Sequence, residues 1–130
     1  MDSAQRLIFA SSQFPPEAGE DEETNPGIYG KALAAWLCDQ LARRGYVVKR
    51  TVAEDFGRLI QLEDPNYQLY VACASTDQTA GEWRVFSFAE FGWLASVFGR
   101  RSKPCVVSKV MADVKAILQA APSITDLREE

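Results

Sequence analysis

Apolar side chains recur at intervals of three and four residues in the first third of the chain, which predicts an amphipathic helix. The positions that make this stripe are Leu33, Trp36, Leu37 and Leu41. Asn25 is a good N-cap residue and Pro26 suits the first helical position, where its missing N–H costs nothing. Gly45 follows the stripe and favours a helix end. The predicted helix therefore covers residues 26–44.

A second stripe near the end of the chain predicts a longer helix, opened by Pro104 and ended by Pro122. Its apolar face consists of Val107, Val110, Met111, Val114, Ile117 and Leu118. Before it, a short helix ending at Gly99 is predicted from Phe91, Leu94, Ala95 and Phe98. After Pro122 the pattern stops, so residues 122–130 are expected to form a loose tail.

Between the helices, short apolar or alternating runs bounded by turn residues predict β-strands. These runs cover residues 6–13, 46–53, 58–62, 67–74 and 82–89. Successive strands joined by short turns favour antiparallel pairing, with the helices gathered on one side. The sequence thus predicts an α+β fold with an antiparallel sheet of four to five strands and helices packed on one face. Without repeats or linkers, residues 1–130 are expected to form a single domain.

The composition limits the possible functions mainly because the chain has no histidine. The 130 residues are 47% hydrophobic and 25% charged, with three cysteines and no histidine. Without histidine, the Ser-His-Asp and Cys-His nucleophilic systems and the commonest metal ligand are excluded. We therefore predict a protein that is not an enzyme and uses no cofactor or metal. No apolar run is long enough for a membrane span and no signal pattern begins the chain, so a cytoplasmic location is expected.

An acidic loop, residues 15–25, lies between the first strand and the first helix. Five acids occur within seven residues: Glu17, Glu20, Asp21, Glu22 and Glu23. Acids just ahead of a helix are favoured by its dipole, so part of this charge has a structural explanation. The remainder is a candidate docking surface for a basic partner, through Glu20, Asp21, Glu22 and Glu23. A calcium site does not fit, because the spacing differs from an EF-hand loop.

The stretch EDFG, residues 54–57, is the second candidate. Glu54 and Asp55 could border the docking surface. Alternatively, Glu54, Asp55 and Arg58 could line a pocket for a small molecule or for acid–base chemistry. Adjacent strand residues point to opposite faces, however, so the two acids converge only if the chain turns there. A bulge or turn that buries Phe56 and uses the glycine for its backbone freedom explains the stretch more simply.

Several segments together resemble small uncharacterised bacterial proteins with a GEDEETNPG–helix–EDWG pattern. The segments are FPPEAGEDEETNPGIYGKALAAWL, RRGYVV, EDFG and YVACAS, spread over residues 7 to 75. Phe56 and Arg58 depart from that pattern, which has bulkier aromatics there. Such proteins are similar in style to immunity proteins that neutralise toxins, which implies a non-enzymatic protein-binding domain that occludes its partner. The resemblance carries no catalytic residue.

Two further expectations concern partners. Trp83 lies beside a polar turn, so we expect it to be partly exposed and to join the docking surface. The aromatic strands YQLYVACA and EWRVFSFA could leave an open sheet face that needs a cover, which makes a homo-oligomer an alternative. Nucleic acid is not an expected partner, because the net charge is −4 and no basic stripe is interleaved with aromatics.

Overall fold

The computed structural model describes residues 6–76, 81–91 and 105–130, and its architecture is α+β as predicted. Among these residues, six antiparallel strands form one open sheet in the order β2-β3-β4-β5-β1-β6, one strand more than the upper prediction. The elements are β1 (Leu7–Ala10), α1 (Lys31–Arg43), β2 (Val48–Glu54), β3 (Gly57–Leu62), β4 (Tyr67–Ser75), β5 (Glu82–Phe91), α2 (Cys105–Ala120) and β6 (Thr125–Glu129). The short helix predicted over residues 91–99 lies outside the described residues, apart from Phe91, which ends β5. Pro104, which was predicted to begin the last helix, also lies outside them.

One hydrophobic core joins α1, α2 and a single face of the sheet. All six residues of the predicted α2 stripe are buried: Val107, Val110, Met111, Val114, Ile117 and Leu118. They belong to the same cluster as Leu33, Leu37 and Leu41 of α1 and as Ile60 and Val85 of the sheet. Each such side chain contributes about 1.5–3 kcal/mol when fully buried. No helix in the described ranges is long and apolar enough to cross a membrane.

A two-residue turn, Asp55-Phe56, connects β2 to β3 and requires glycine after it. Glu54 pairs with Gly57, and the ladder continues along both strands. Gly57 has φ +149°, a conformation that L side chains rarely adopt. A Cβ built there would lie 2.5 Å from the carbonyl oxygen of Cys73 on β4. The backbones of β3 and β4 thus approach each other closely only because this position has no side chain.

Helix α1 starts later than predicted. It begins at Lys31, and residues 26–30 are not helical. Asn25 does not act as the cap: its backbone N–H donates to the carbonyl of Asp55 at 2.8 Å. The Asn-Pro-Gly step instead connects the acidic loop to the β2–β3 turn. The prediction was wrong because α1 is capped by Glu20, which lies ten positions before Gly30 in the sequence.

The tail is an edge strand rather than a loose segment. β6 pairs antiparallel with β1, and the backbone N–H of Glu130 donates to the carbonyl of Arg6 at 2.8 Å. Ion pairs Arg84–Glu130 and Arg128–Glu82 connect it to β5. The strand was missed because its sequence, TDLRE, carries a single apolar residue and gives almost no alternating signal.

Leu127→Ala is expected to lower the free energy of unfolding by about 1 kcal/mol, since the half-buried leucine packs against the core. Thr125→Ala, an exposed position of the same strand, should change it by less than about 0.5 kcal/mol. Urea unfolding followed by tryptophan fluorescence measures both. If both variants leave the free energy of unfolding unchanged, the packing of Leu127 against the core is contradicted.

Candidate partner-binding surface

Glu20 is a buried carboxylate that caps helix α1. It is only 4% exposed. Its Oε2 accepts hydrogen bonds from the backbone N–H groups of Gly30, at 2.8 Å, and Lys31, at 2.9 Å. Its Oε1 accepts a third from the N–H of Glu17 at 3.0 Å. The first N–H groups of a helix have no partner inside the helix, so an anionic acceptor is favoured there by both hydrogen bonding and the helix dipole.

This burial corrects the expectation that Glu20 contacts a partner. Burial alone raises the pKa of the Glu20 carboxyl, because it penalises the charged form. The three backbone donors and the guanidinium of Arg58 outweigh that penalty, and the pKa lies below its ordinary value. Glu20 is therefore ionised at neutral pH and serves the fold.

Asp21 also has a structural role. Its Oδ2 accepts a hydrogen bond from the N–H of Gly27 at 2.9 Å, which closes the loop on itself. The hydroxyl of Thr24 donates to the carbonyl of Ile28 at 2.6 Å within the same loop. Much of the predicted docking charge thus holds the acidic loop in one conformation. This outcome agrees with the structural explanation that the sequence left open.

The acidic loop and the residues that connect it to α1 are fastened to the sheet in two places. At the β2–β3 turn, Glu23 forms an ion pair with Arg58, alongside the bond from the backbone N–H of Asn25. At the end of β4, Ser75 donates its N–H to the carbonyl of Tyr29 at 2.7 Å. The Ser75 hydroxyl accepts from the N–H of Tyr29 at 2.9 Å. These contacts bring together the two sequence stretches that were singled out, the acidic loop and EDFG.

The side chains left for a partner are Glu22, Glu23, Asp55 and Phe56, which we call the acidic surface. All four are exposed. Among the described residues the side chain of Glu22 makes no hydrogen bond or ion pair, whereas Glu23 remains accessible while it contacts Arg58. Glu22 and Glu23 precede Asn25 in the loop and Phe56 follows Asp55 in the turn, so these residues lie in the two segments that the Asn25–Asp55 hydrogen bond joins.

The exposure of Phe56 contradicts the prediction that the turn buries its aromatic ring. The side chain is 45% exposed, because both residues of a two-residue hairpin turn project away from the sheet. Sequence reasoning missed it as a binding residue. The available signal was the turn itself: strand residues end at Glu54, and Gly57 marks the return.

The pocket expected at Glu54, Asp55 and Arg58 does not form as a convergent group. Ala53 pairs with Arg58, so both lie on the helix-covered face, and Glu54 lies on the opposite face. Glu54 and Asp55 are exposed. Two clefts in the described part of the chain, of about 450 and 410 Å³, are lined by other residues. The first lies beside Trp36 and Ile117, and the second beside Leu7 and Leu127.

Trp83 belongs to the core and is not on the docking surface. It is 4% exposed, against the expectation of partial exposure. Its indole N–H donates to the carbonyl of Ser11 at 3.2 Å. Its ring meets that of Phe14 edge-on, with centroids 6.1 Å apart. Trp83 lies on the helix-covered face of β5, directly opposite Phe9 of β1.

A second polar cluster joins the end of α1 to α2. The hydroxyl of Tyr46 donates to Asp113, and the ammonium of Lys109 donates to that carboxylate at 2.9 Å. Burial and the neighbouring Asp113 raise the pKa of Tyr46, so its hydroxyl keeps its proton. Cys73 is also unreactive, since complete burial raises the pKa of its thiol. Neither group offers a nucleophile.

Within residues 6–76, 81–91 and 105–130, no group of three Cys, Asp or Glu side chains could hold a metal ion. The geometry offers a rigid anionic surface with one exposed aromatic ring. No protein-family model, no curated protein and no solved structure matches this chain.

Proposed function

We propose that this chain is a non-enzymatic protein-binding domain, of the inhibitor or immunity-protein type, that occludes a basic partner. The observation that carries the proposal is the acidic surface. Three exposed carboxylates, on Glu22, Glu23 and Asp55, lie in the two segments joined by the Asn25–Asp55 hydrogen bond, together with Phe56, which is 45% exposed. Buried aromatic anchors ringed by polar groups dominate the binding energy of many protein interfaces.

The order of the acidic loop supports this proposal. Glu20, Asp21 and Asn25 hold the loop against the hairpin before any partner arrives. Interface segments that are ordered in advance lose less conformational entropy on association. The exposed carboxylates would raise the association rate with a positively charged partner, and this effect weakens as salt screens the charges.

The partner can be sought by affinity capture from lysate of the source cells at low and high salt, with mass spectrometry. The captured protein is then purified and titrated against the wild type and the Phe56→Ala variant. We expect Phe56→Ala to weaken binding by about 2 kcal/mol, roughly 30-fold, because it removes the anchor. The exposed ring contributes little to folding, so the unfolding midpoint should stay unchanged.

A charge-matched pair of variants separates local contacts from net charge. Glu22→Lys/Asp55→Lys reverses two charges on the acidic surface, and Glu63→Lys/Glu90→Lys reverses two exposed charges elsewhere. The first should slow association and flatten its salt dependence well beyond the second. Equal effects of the two variants, together with unchanged binding by Phe56→Ala, would overturn the proposal.

A further inference from the structure

The charged side chains along the free edge of β2 are self-complementary. β2 ends the sheet, so one of its edges has no partner strand among the described residues. Its exposed side chains include Arg50 near one end and Glu54 at the other, with the half-buried Val52 midway between them. When two copies of such a strand run antiparallel, each basic end meets an acidic end.

Hydrogen-bond geometry decides which residues can pair along this edge. The two-residue turn makes Glu54 and Gly57 a hydrogen-bonded pair, and pairs alternate from there as far as Arg50, beyond which the register shifts. Val52 and Arg50 therefore direct their backbone groups toward β3. The backbone N–H and C=O groups of Thr51 and Ala53 point to the free edge.

We propose that a second copy of this chain pairs antiparallel along β2, with Val52 facing Val52 of the second copy. In this register Thr51 faces Ala53 of the second copy, and the outward backbone groups of both exchange hydrogen bonds. Arg50 then faces Glu54 of the second copy, twice by symmetry. The two six-stranded sheets become one continuous sheet across the twofold axis.

The side chains select this register over its neighbours. Arg50 and Glu54 occupy a non-hydrogen-bonded pair, where opposite Cα atoms are only about 4.5 Å apart and side chains interact most strongly. A register centred on Thr51 places Arg50 opposite Val52 and Glu54 opposite Val48, and it loses both direct ion pairs. Charged residues usually protect an edge strand from pairing, but here their order favours one specific partner.

The contact is small, so the dimer is weak. Edge pairing over about five residues buries less than the roughly 1,200 Å² of ordinary stable interfaces. Sedimentation equilibrium from about 10 μM to about 1 mM, a range suited to such weak contacts, should give a concentration-dependent monomer–dimer equilibrium. A monomer over the entire range would overturn the proposal.

Thr51→Pro tests the edge itself. Its N–H points away from β3, so proline removes an intermolecular donor and leaves the ladder between β2 and β3 intact. The variant should remain monomeric at the highest concentration, with an unchanged circular dichroism spectrum. A dimer that survives in Thr51→Pro, for example through the open sheet face, would overturn pairing along β2.

Charge exchange tests the register without proline. Arg50→Glu and Glu54→Arg each place two like-charge pairs in the dimer, and each should raise the dimer dissociation constant at least tenfold. Mixing the two variants should restore association as a heterodimer, because both ion pairs then form, one with its original signs and one with reversed signs. Monomers in the mixture would overturn the register.

Phe56→Ala should leave the dimer unchanged. The test of the dimer and the test of the acidic surface can therefore fail independently of each other.

Discussion

Gly57→Ala should lower the free energy of unfolding by about 2–5 kcal/mol, the largest effect expected of any single change here. The methyl group would lie 2.5 Å from the carbonyl oxygen of Cys73 and 2.7 Å from Cβ of Ala74, so the backbone of β3 or β4 must move. The φ of +149° adds strain for any L residue. Urea unfolding, followed by the fluorescence of the buried Trp83, measures the loss.

Gly45→Ala is the matched control for this prediction. Gly45 also has a positive φ, +96°, but a Cβ there meets nothing within 4 Å. Only the backbone strain remains, and the expected cost is about 1 kcal/mol. Similar losses at the two positions would show that conformation alone, and not the approach of β4, makes Gly57 necessary.

Glu20→Ala should destabilise the domain by about 3 kcal/mol. The change leaves the backbone N–H groups of Glu17, Gly30 and Lys31 without their charged acceptor. Loss of a helix cap typically costs about 1 kcal/mol, and buried donors without partners cost about 1–3 kcal/mol more. Glu22→Ala removes a neighbouring exposed carboxylate and should change stability by less than about 0.5 kcal/mol. Equal effects would contradict the capping role.

The same carboxylate predicts how stability depends on pH. The pKa of Glu20 is lower in the folded protein than in the unfolded chain, so acid protonates the unfolded chain first and favours unfolding. The stabilisation by ionised Glu20 is complete above its pKa in the unfolded chain and is lost as pH falls through the lower pKa of the folded protein. The stability difference between wild type and Glu20→Gln, constant near neutral pH, should therefore shrink below about pH 5. A difference that grows in acid would contradict the lowered pKa.

Features encoded by neighbouring residues could be predicted from the sequence. The α2 stripe is an example: its six apolar positions repeat at helical spacing, and all six are buried. The pairing of β3 with β4 is a second example: the predicted runs 58–62 and 67–74 form neighbouring antiparallel strands. In each case the signal and the structure lie within about twenty residues.

Features that depend on contacts between distant segments could not be predicted. The start of α1 is set by Glu20, which no rule of adjacent residues identifies as its cap. β6 forms because β1 offers an edge more than a hundred residues away. The exposure of Phe56 and the burial of Trp83 likewise depend on how the acidic loop and the core are assembled. Of the candidate docking residues, Glu22, Glu23, Glu54 and Asp55 are exposed, and Glu23 also pairs with Arg58.

Different residues of the acidic loop hold its backbone and face the solvent, which makes this domain a scaffold for redesign. Glu20 and Asp21 determine the path of the backbone, and they do so through contacts that leave Glu22 and the tip at Phe56 untouched. A library randomised at Glu22, Asp55 and Phe56 would therefore vary recognition and leave the side chains that hold the loop unchanged. New specificities could be selected from such a library without selecting again for folding.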